Sequence, residues 1–194
     1  MLLHETKNNA KIKQLLDYAT THPDAIITYQ ASDMILALHS DGSYHPEPDS
    51  KSKAGEHFYL TQSGNYNVPN GAVQTLSKVI KYVMSSAGEA EVASSYLNCK
   101  AALPLRVALE EMGHPQPPTP VIMDNTTAIG LTQNTMTPKR SKGYDMRMNW
   151  LKCREAQTQF NLVWQPGKNN KGDYHSKTHP THEYVQKRKL FVVD

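Results

Sequence analysis

Val121 to Leu131 reads V-I-M-D-N-T-T-A-I-G-L. Three apolar residues run directly into Asp124, and Asn125 opens the next segment. A short apolar run closed by a carboxylate has the pattern of a buried strand. Asparagine is a favoured helix cap, so the chain passes from strand to helix between Asp124 and Asn125. Junctions of this kind are where an α/β sheet presents functional groups. The same pattern occurs upstream in M-I-L-A-L-H-S-D, Met34 to Asp41, which reads as a first strand ending at or interrupted by Asp41.

Outward from these two segments, the remaining elements follow from punctuation and periodicity. A loop spans His45 to Lys53, with Pro46 and Pro48. G-E-H-F-Y-L-T, from Gly55, is a second strand. Asn70-Gly71 signals a hairpin, and Ala72 to Val83 a third strand. After Ser85-Ser86, apolar residues recur every three or four positions from Ala90 to Met112. This predicts a long helix with a serine cap and Gly113 at its end. Pro104 should kink it or split it in two. A helix follows Asn125, another begins near Tyr144, Phe160 to Gln165 is a fifth strand, and G-D-Y-H-S-K opens a last helix at Gly172. Residues 6–21 form a short amphipathic connector helix stopped by His22-Pro23. Three hairpin-linked strands followed by alternating strands and helices predict a mixed sheet covered by helices.

The 194 residues carry 21 Lys+Arg against 18 Asp+Glu, a net charge of +3, which admits a nucleic-acid partner without demanding one. That length fits one domain with short extensions: a connector and linker over 1–32, a main domain over 33–180 and a basic tail over 181–194. The basic, apolar-ended tail either stays disordered or docks on a neighbouring chain. No apolar stretch is long enough to span a membrane, and M-L-L-H-E-T-K has no secretory pattern. Cys99 and Cys153 form no C-x-x-C pair, so a disulfide framework or cysteine zinc finger is not expected. The expected compartment is cytoplasm or nucleus.

Four acids stand at informative places: Asp41 on the first strand, Glu91 early in the long helix, Asp124 after the fourth strand and Asp173 at the start of the last helix. Clustered carboxylates suit Mg²⁺, a hard ion that takes oxygen ligands. Two such ions can activate water on one side of a phosphodiester and hold the leaving oxygen on the other. The competing reading is a scatter of surface acids and helix caps.

These residues also carry a resemblance. H-S-D-G-S-Y (His39–Tyr44), S-S-A-G-E-A-E-V-A-S (Ser85–Ser94), V-I-M-D-N-T-T-A-I-G-L, K-R-S-K-G-Y-D-M-R (Lys139–Arg147) and N-N-K-G-D-Y-H-S-K (Asn169–Lys177) occur in one order. That order is similar to the RNase H domain of copia-type LTR retrotransposon reverse transcriptase polyproteins. The resemblance covers about Met34 to Lys177. It implies an RNase H-like α/β fold, with a mixed five-stranded sheet in which strands 1–3 are antiparallel and strands 4 and 5 parallel. It further implies a ribonuclease H that cuts the RNA strand of RNA–DNA hybrids with two Mg²⁺ ions, Mn²⁺ being able to substitute. Asp41, Glu91, Asp124 and Asp173 match the family's metal ligands, with Glu89 a neighbour on the helix's first turn. A reverse transcriptase polymerase domain is an implied partner, and the chain reads as at most the tail of such an enzyme.

Two departures stand out. Gly143 replaces a family histidine, and no histidine shortly precedes Asp173, although His175 and His179 follow it. A zinc site at His175, His179 and His182 is not expected, because Pro180 breaks the spacing. Lys139, Arg140, Lys142 and Arg147, with Lys168 and Lys171, are either duplex-phosphate contacts or a solvated basic face. Asn125 is either a ribose or phosphate donor or a helix cap, and Ser43 either touches a duplex backbone or bonds within a turn. Trp150 and Trp164 read as packing residues. Two other functions compete: a domesticated, non-catalytic nucleic-acid-binding module, and an integrase or transposase nuclease. In the latter the glutamate follows the second aspartate, the reverse of the order here.

Overall fold

The computed structural model describes residues 2–66, 70–133 and 142–193. A five-stranded sheet forms its centre, in the order β3-β2-β1-β4-β5. The strands are β1 (Ile35–Glu47), β2 (Lys51–Thr61), β3 (Ala72–Val79), β4 (Thr119–Met123) and β5 (Phe160–Trp164). β1 pairs antiparallel with β2 and β2 with β3, whereas β4 runs parallel to β1 and β5 parallel to β4. The mixed sheet expected from the order of elements is therefore present, with the first strand at its middle.

The helices are α1 (Leu2–Thr21), α2 (Ala87–Glu111), α3 (Thr126–Thr132), α4 (Lys142–Ala156), α5 (Asp173–Ser176) and α6 (Thr181–Arg188). Ser86 caps α2 by accepting from the Glu89 amide at 3.1 Å. Pro104 does not split this helix, which runs unbroken across it. Its ring lies on an exposed face, where water can take the carbonyl bond that proline leaves vacant. No helix among the described residues is long and apolar enough to cross a membrane.

β1 differs from expectation. It does not stop at Asp41, because Asp41, Gly42 and Ser43 remain paired with Gly55, Ala54 and Lys53. The proline-rich stretch expected as a long loop contracts to a three-residue turn, Pro48–Ser50.

Strand alternation divides the sheet into two faces. Leu36, Leu38 and Phe58 join Val92, Cys99, Ala102, Val121, Met148 and Leu162 in the main core, on the side of α2 and α4. Residues of opposite parity, Ala37, Tyr59 and Ile122, form a smaller cluster on the other face. There His39 and His57 lie buried, and the C-terminal segment covers them. Phe191 meets the His57 ring edge-on at 5.3 Å, and the Ile26 and Val193 backbones bond reciprocally at 2.8 and 2.9 Å. The tail is thus folded onto the body. α1, by contrast, leaves Leu15 66% exposed.

Burial pushes the rings of His39, His57 and His175 down to about 4, about 3 and about 4, from 6.5. Burial also pushes the Glu56 carboxyl, which accepts from Gln74 at 3.2 Å, up to about 8 from 4.5. A ring depressed on folding contributes stability above pH 6.5 and loses it as pH falls towards 4. A carboxyl raised on folding contributes below pH 4.5 and loses it as pH rises through 8. The melting temperature should therefore peak at about pH 6, with each flank costing on the order of 2 kcal/mol per group. Thermal melts across pH 4 to 9 check this: His57→Leu should soften the acid flank and Glu56→Gln the alkaline one.

Candidate metal centre

Asp41 sits on the central strand with 1% exposure. Two glycines let other segments reach it. A Cβ at Gly42 would fall 2.5 Å from the Ala90 carbonyl oxygen, so only glycine lets the first turns of α2 lie against β1. A Cβ at Gly55, Asp41's partner on β2, would collide with the backbone at Gly172 and Ser176. The helix and the C-terminal turn thus approach Asp41 from different sides.

Polar side chains hold these approaches in register. Ser94 Oγ donates to the Asp41 carbonyl at 2.7 Å, and Asn98 Nδ2 donates to Ser40 Oγ at 2.9 Å and to the Gly55 carbonyl at 3.1 Å. Across the sheet, Asn170 Nδ2 donates to the Ser40 carbonyl at 2.9 Å, while its Oδ1 accepts from the Gly172 amide at 3.0 Å. Ser176 Oγ donates to Asp41 Oδ2. None of Ser94, Asn98, Asn170 and Ser176 is among the site residues expected from the sequence. A signal existed for two: Glu91, Ser94 and Asn98 lie at i, i+3 and i+7, one polar stripe on the inward face of a helix.

This frame gathers three carboxylates. Asp41, Glu91 and Asp124 each place an oxygen within 4.8 Å of the others. Glu91 Oε2 is buried and has no hydrogen-bond partner. Glu89 serves the cap instead, its Oε2 accepting from the Ser85 amide and hydroxyl at 2.7 Å. Burial, then repulsion from Asp41 and Asp124, holds the Glu91 carboxyl well above its usual range. Burial also raises Asp41, against Lys177 and the Ser176 hydroxyl. A cation would relieve both penalties at once, and an all-oxygen donor set with one orphaned buried atom fits a hard divalent ion.

Asp173 does not join this group. One oxygen receives Lys177 Nζ, and the other receives Lys187 Nζ at 2.5 Å. Burial raises its pKa, but the two ammonium groups outweigh burial and hold it below the usual carboxylate range. The expected meeting of four acids is therefore a meeting of three, with the fourth engaged by lysines. Lys177 Nζ also lies 3.6 Å from Asp41 Oδ2. His179 Nε2 stands 3.0 Å from the Asp173 carbonyl oxygen, whereas His175 stacks towards His57 at 6.3 Å. Asp41, Glu91 and Asp124 are the one group with metal-binding geometry among the described residues, and no histidine belongs to it.

The expected nucleic-acid contacts divide. Lys168 is exposed and lines a cavity of about 770 Å³ together with Asp124, Asn169, Asp173, Lys177 and Lys187. Lys171 lines it too but is 9% exposed, and its ammonium donates to the Leu190 carbonyl at 2.8 Å, which leaves it poorly placed for phosphate. Ser43 is buried and donates to the Ser176 carbonyl at 2.7 Å, so it is a structural bond rather than a duplex contact. Asn125 caps α3, accepting from the Ala128 amide at 3.0 Å. Arg147 lies over the Tyr82 ring at 4.8 Å. Lys139 and Arg140 fall outside the described residues, as does the side chain of Lys142. Trp150 packs on the core as expected, but Trp164 is half exposed and donates to the Asp124 carbonyl at 3.2 Å.

The architecture is that of RNase H. The N-terminal RNase H domain of Rv2228c from Mycobacterium tuberculosis matches 74% of this chain and 91% of its own, with a TM-score of 0.52 and 14% identity. LC11-RNase H1, isolated from compost by a metagenomic approach, matches 80% of this chain and 99% of its own, with a TM-score of 0.54 and 14% identity. The same enzyme in complex with an RNA/DNA hybrid matches at a TM-score of 0.54 and 13% identity, covering 79% of this chain and 99% of its own. In sequence, the chain is 29% identical over 141 residues to the retrovirus-related Pol polyprotein from transposon TNT 1-94 of Nicotiana tabacum. That match covers 73% of this chain and 10% of the polyprotein, so the chain spans about a tenth of its relative's length. No family profile matches. The resemblance drawn from the five ordered motifs is borne out on both counts, in fold and in retrotransposon relationship.

Gly42→Ala should force α2 away from β1 and destabilise the protein by about 1–3 kcal/mol. It should also weaken Mn²⁺ binding, since Glu91 would leave Asp41. Chemical denaturation and isothermal titration check the two effects; a variant with wild-type stability and affinity would remove Gly42 from this role.

Proposed function

We propose that this chain is a divalent-metal-dependent ribonuclease H, acting on the RNA strand of RNA–DNA hybrids as part of a retrotransposon reverse transcriptase polyprotein. The observation that carries the reading is the convergence of Asp41, Glu91 and Asp124 within 4.8 Å, with one buried Glu91 oxygen unpartnered. The fold of RNase H and the relationship to a transposon polyprotein support it. LC11-RNase H1 was crystallised with an RNA/DNA hybrid, which suggests the substrate class.

Asp41, Glu91 and Asp124 would hold the ions, and Asp173, engaged by lysines here, would be the fourth ligand. Bound Mg²⁺ or Mn²⁺ supplies Lewis acidity, making water nucleophilic near neutral pH and stabilising the departing 3′ oxygen. Ser176 orients the Asp41 carboxyl through its hydroxyl, and Ser94 and Asn98 keep α2 in the register that presents Glu91. Lys168, on the rim of the cavity beside Asp124, would meet backbone phosphate without reading sequence. Selection for RNA would rest on 2′-hydroxyl contacts near the scissile phosphate. In this reading residues 33–180 are the catalytic unit, and residues 1–32 connect it to a preceding polymerase domain.

Asp41→Asn should lower Mg²⁺-dependent cleavage of a hybrid by at least about 100-fold while hybrid binding persists. Parallel assays on double-stranded RNA and double-stranded DNA should show little cleavage by the wild type. Undiminished activity of Asp41→Asn, or a wild type inert on hybrids with Mg²⁺ present, would exclude the proposal.

A further inference from the structure

We infer that Lys187 is a built-in counter-ion that withholds Asp173 from the carboxylate cluster, so that full divalent-ion loading requires this lysine to let go. The inference rests on the reading of the cluster as a metal site and concerns how that site fills.

Both Asp173 oxygens are taken by ammonium groups. Lys177 follows Asp173 by one helical turn and bridges towards Asp41. Lys187 comes from α6, fourteen residues away, and reaches Asp173 Oδ2 at 2.5 Å and Glu183 Oε2 at 3.7 Å. The Asp173 side chain is 17% exposed and Lys187 30%, so the pair is partly withdrawn from water, where ion pairs are screened less. Asp173 can satisfy its charge there without a metal. A divalent ion seeking the same oxygen must first displace a lysine.

The two lysines are differently tethered. Lys177 belongs to the turn that carries Asp173 and Ser176, so its stem stays beside the site wherever its ammonium points. α6 contributes no buried residue to the body. Its contacts lie at the surface: Arg188 Nε donates to the Tyr18 hydroxyl at 2.6 Å, the Tyr184 hydroxyl donates to the Lys177 carbonyl at 3.3 Å, the Tyr184 ring meets Tyr174 and His179 edge-on at 5.4 and 5.3 Å, and Glu183 Oε2 lies 3.1 Å from His179 Nδ1. Lys187 itself can swing out on four methylenes, since an ammonium on a flexible stem is a point charge without fixed orientation. It also lines the same cavity as Asp124 and Lys168, so a phosphate arriving there offers it a new partner. Substrate and metal would then load together, the phosphate drawing Lys187 off as the ion takes Asp173.

Mn²⁺ titration of the intact chain tests this, by calorimetry and by electron paramagnetic resonance, with thermal melts in EDTA and in excess Mn²⁺. Lys187→Met should tighten Asp173-dependent Mn²⁺ binding by about tenfold, the loss of one competing ion pair. It should also melt lower than the wild type in EDTA and gain more on Mn²⁺ addition. Lys187→Arg should restore wild-type behaviour, and Asp173→Asn combined with Lys187→Met should abolish the gain. Unchanged Mn²⁺ affinity in Lys187→Met, or a gain that survives Asp173→Asn, overturns the inference and leaves the metal site standing. Equal Mn²⁺ binding by the wild type and Asp41→Asn overturns the metal site and the inference with it.

Discussion

Asp41 and Glu91 place two carboxylates in a nearly dry environment within 4.8 Å of a third, and the surrounding structure is organised around that cost. Desolvation and mutual repulsion both favour the protonated acid, and the site answers with groups that stabilise charge. Ser176 and Lys177 sit on Asp41, and Lys177 and Lys187 on Asp173. Removing a buried group's partner costs more than the pair contributes, so the three chain segments that meet at Asp41 are obliged to stay in register.

Buried hydrogen bonds fix that register within an apolar packing shared with the core. The inner surface of α2 carries an apolar stripe and a polar one side by side. Val92, Cys99, Ala102 and Leu109 meet the core, while Ser94, Ser95 and Asn98 are fully enclosed beside Ser40 and Gly55. Polar atoms in such a place specify one geometry, since a slip would leave them unpaired. On the opposite face, Asn170 and the turn to Asp173 repeat the device on the same strand. β1 is thus clamped from both sides at the residue that carries the chemistry.

The elements legible in the sequence were those whose signal is local. β5 is legible to within one residue, the Ser86 and Asn125 caps lie where the cap residues stand, and three of the four acids expected to meet lie within 4.8 Å of one another. Errors arose where distant contacts overrule local pattern. Prolines at 46 and 48 read as a loop, yet pairing with β2 carries β1 on to Glu47. Of the alternatives open for Ser43 and Lys171, neither a duplex contact nor a solvated face fits their burial, since the α5 turn and the C-terminal segment cover them.

By itself the sequence determined the α/β order, the mixed sheet and a set of four candidate acids, because apolar periodicity and short ordered motifs are written in consecutive residues. Only the tertiary structure decided that Asp173 stands apart, engaged by Lys177 and Lys187, and that the last helix reaches back to the site. The physical reason is range. Periodicity acts over one element, whereas the partner of a charged side chain is whichever opposite charge the folded chain brings within reach, however far away along the sequence it lies.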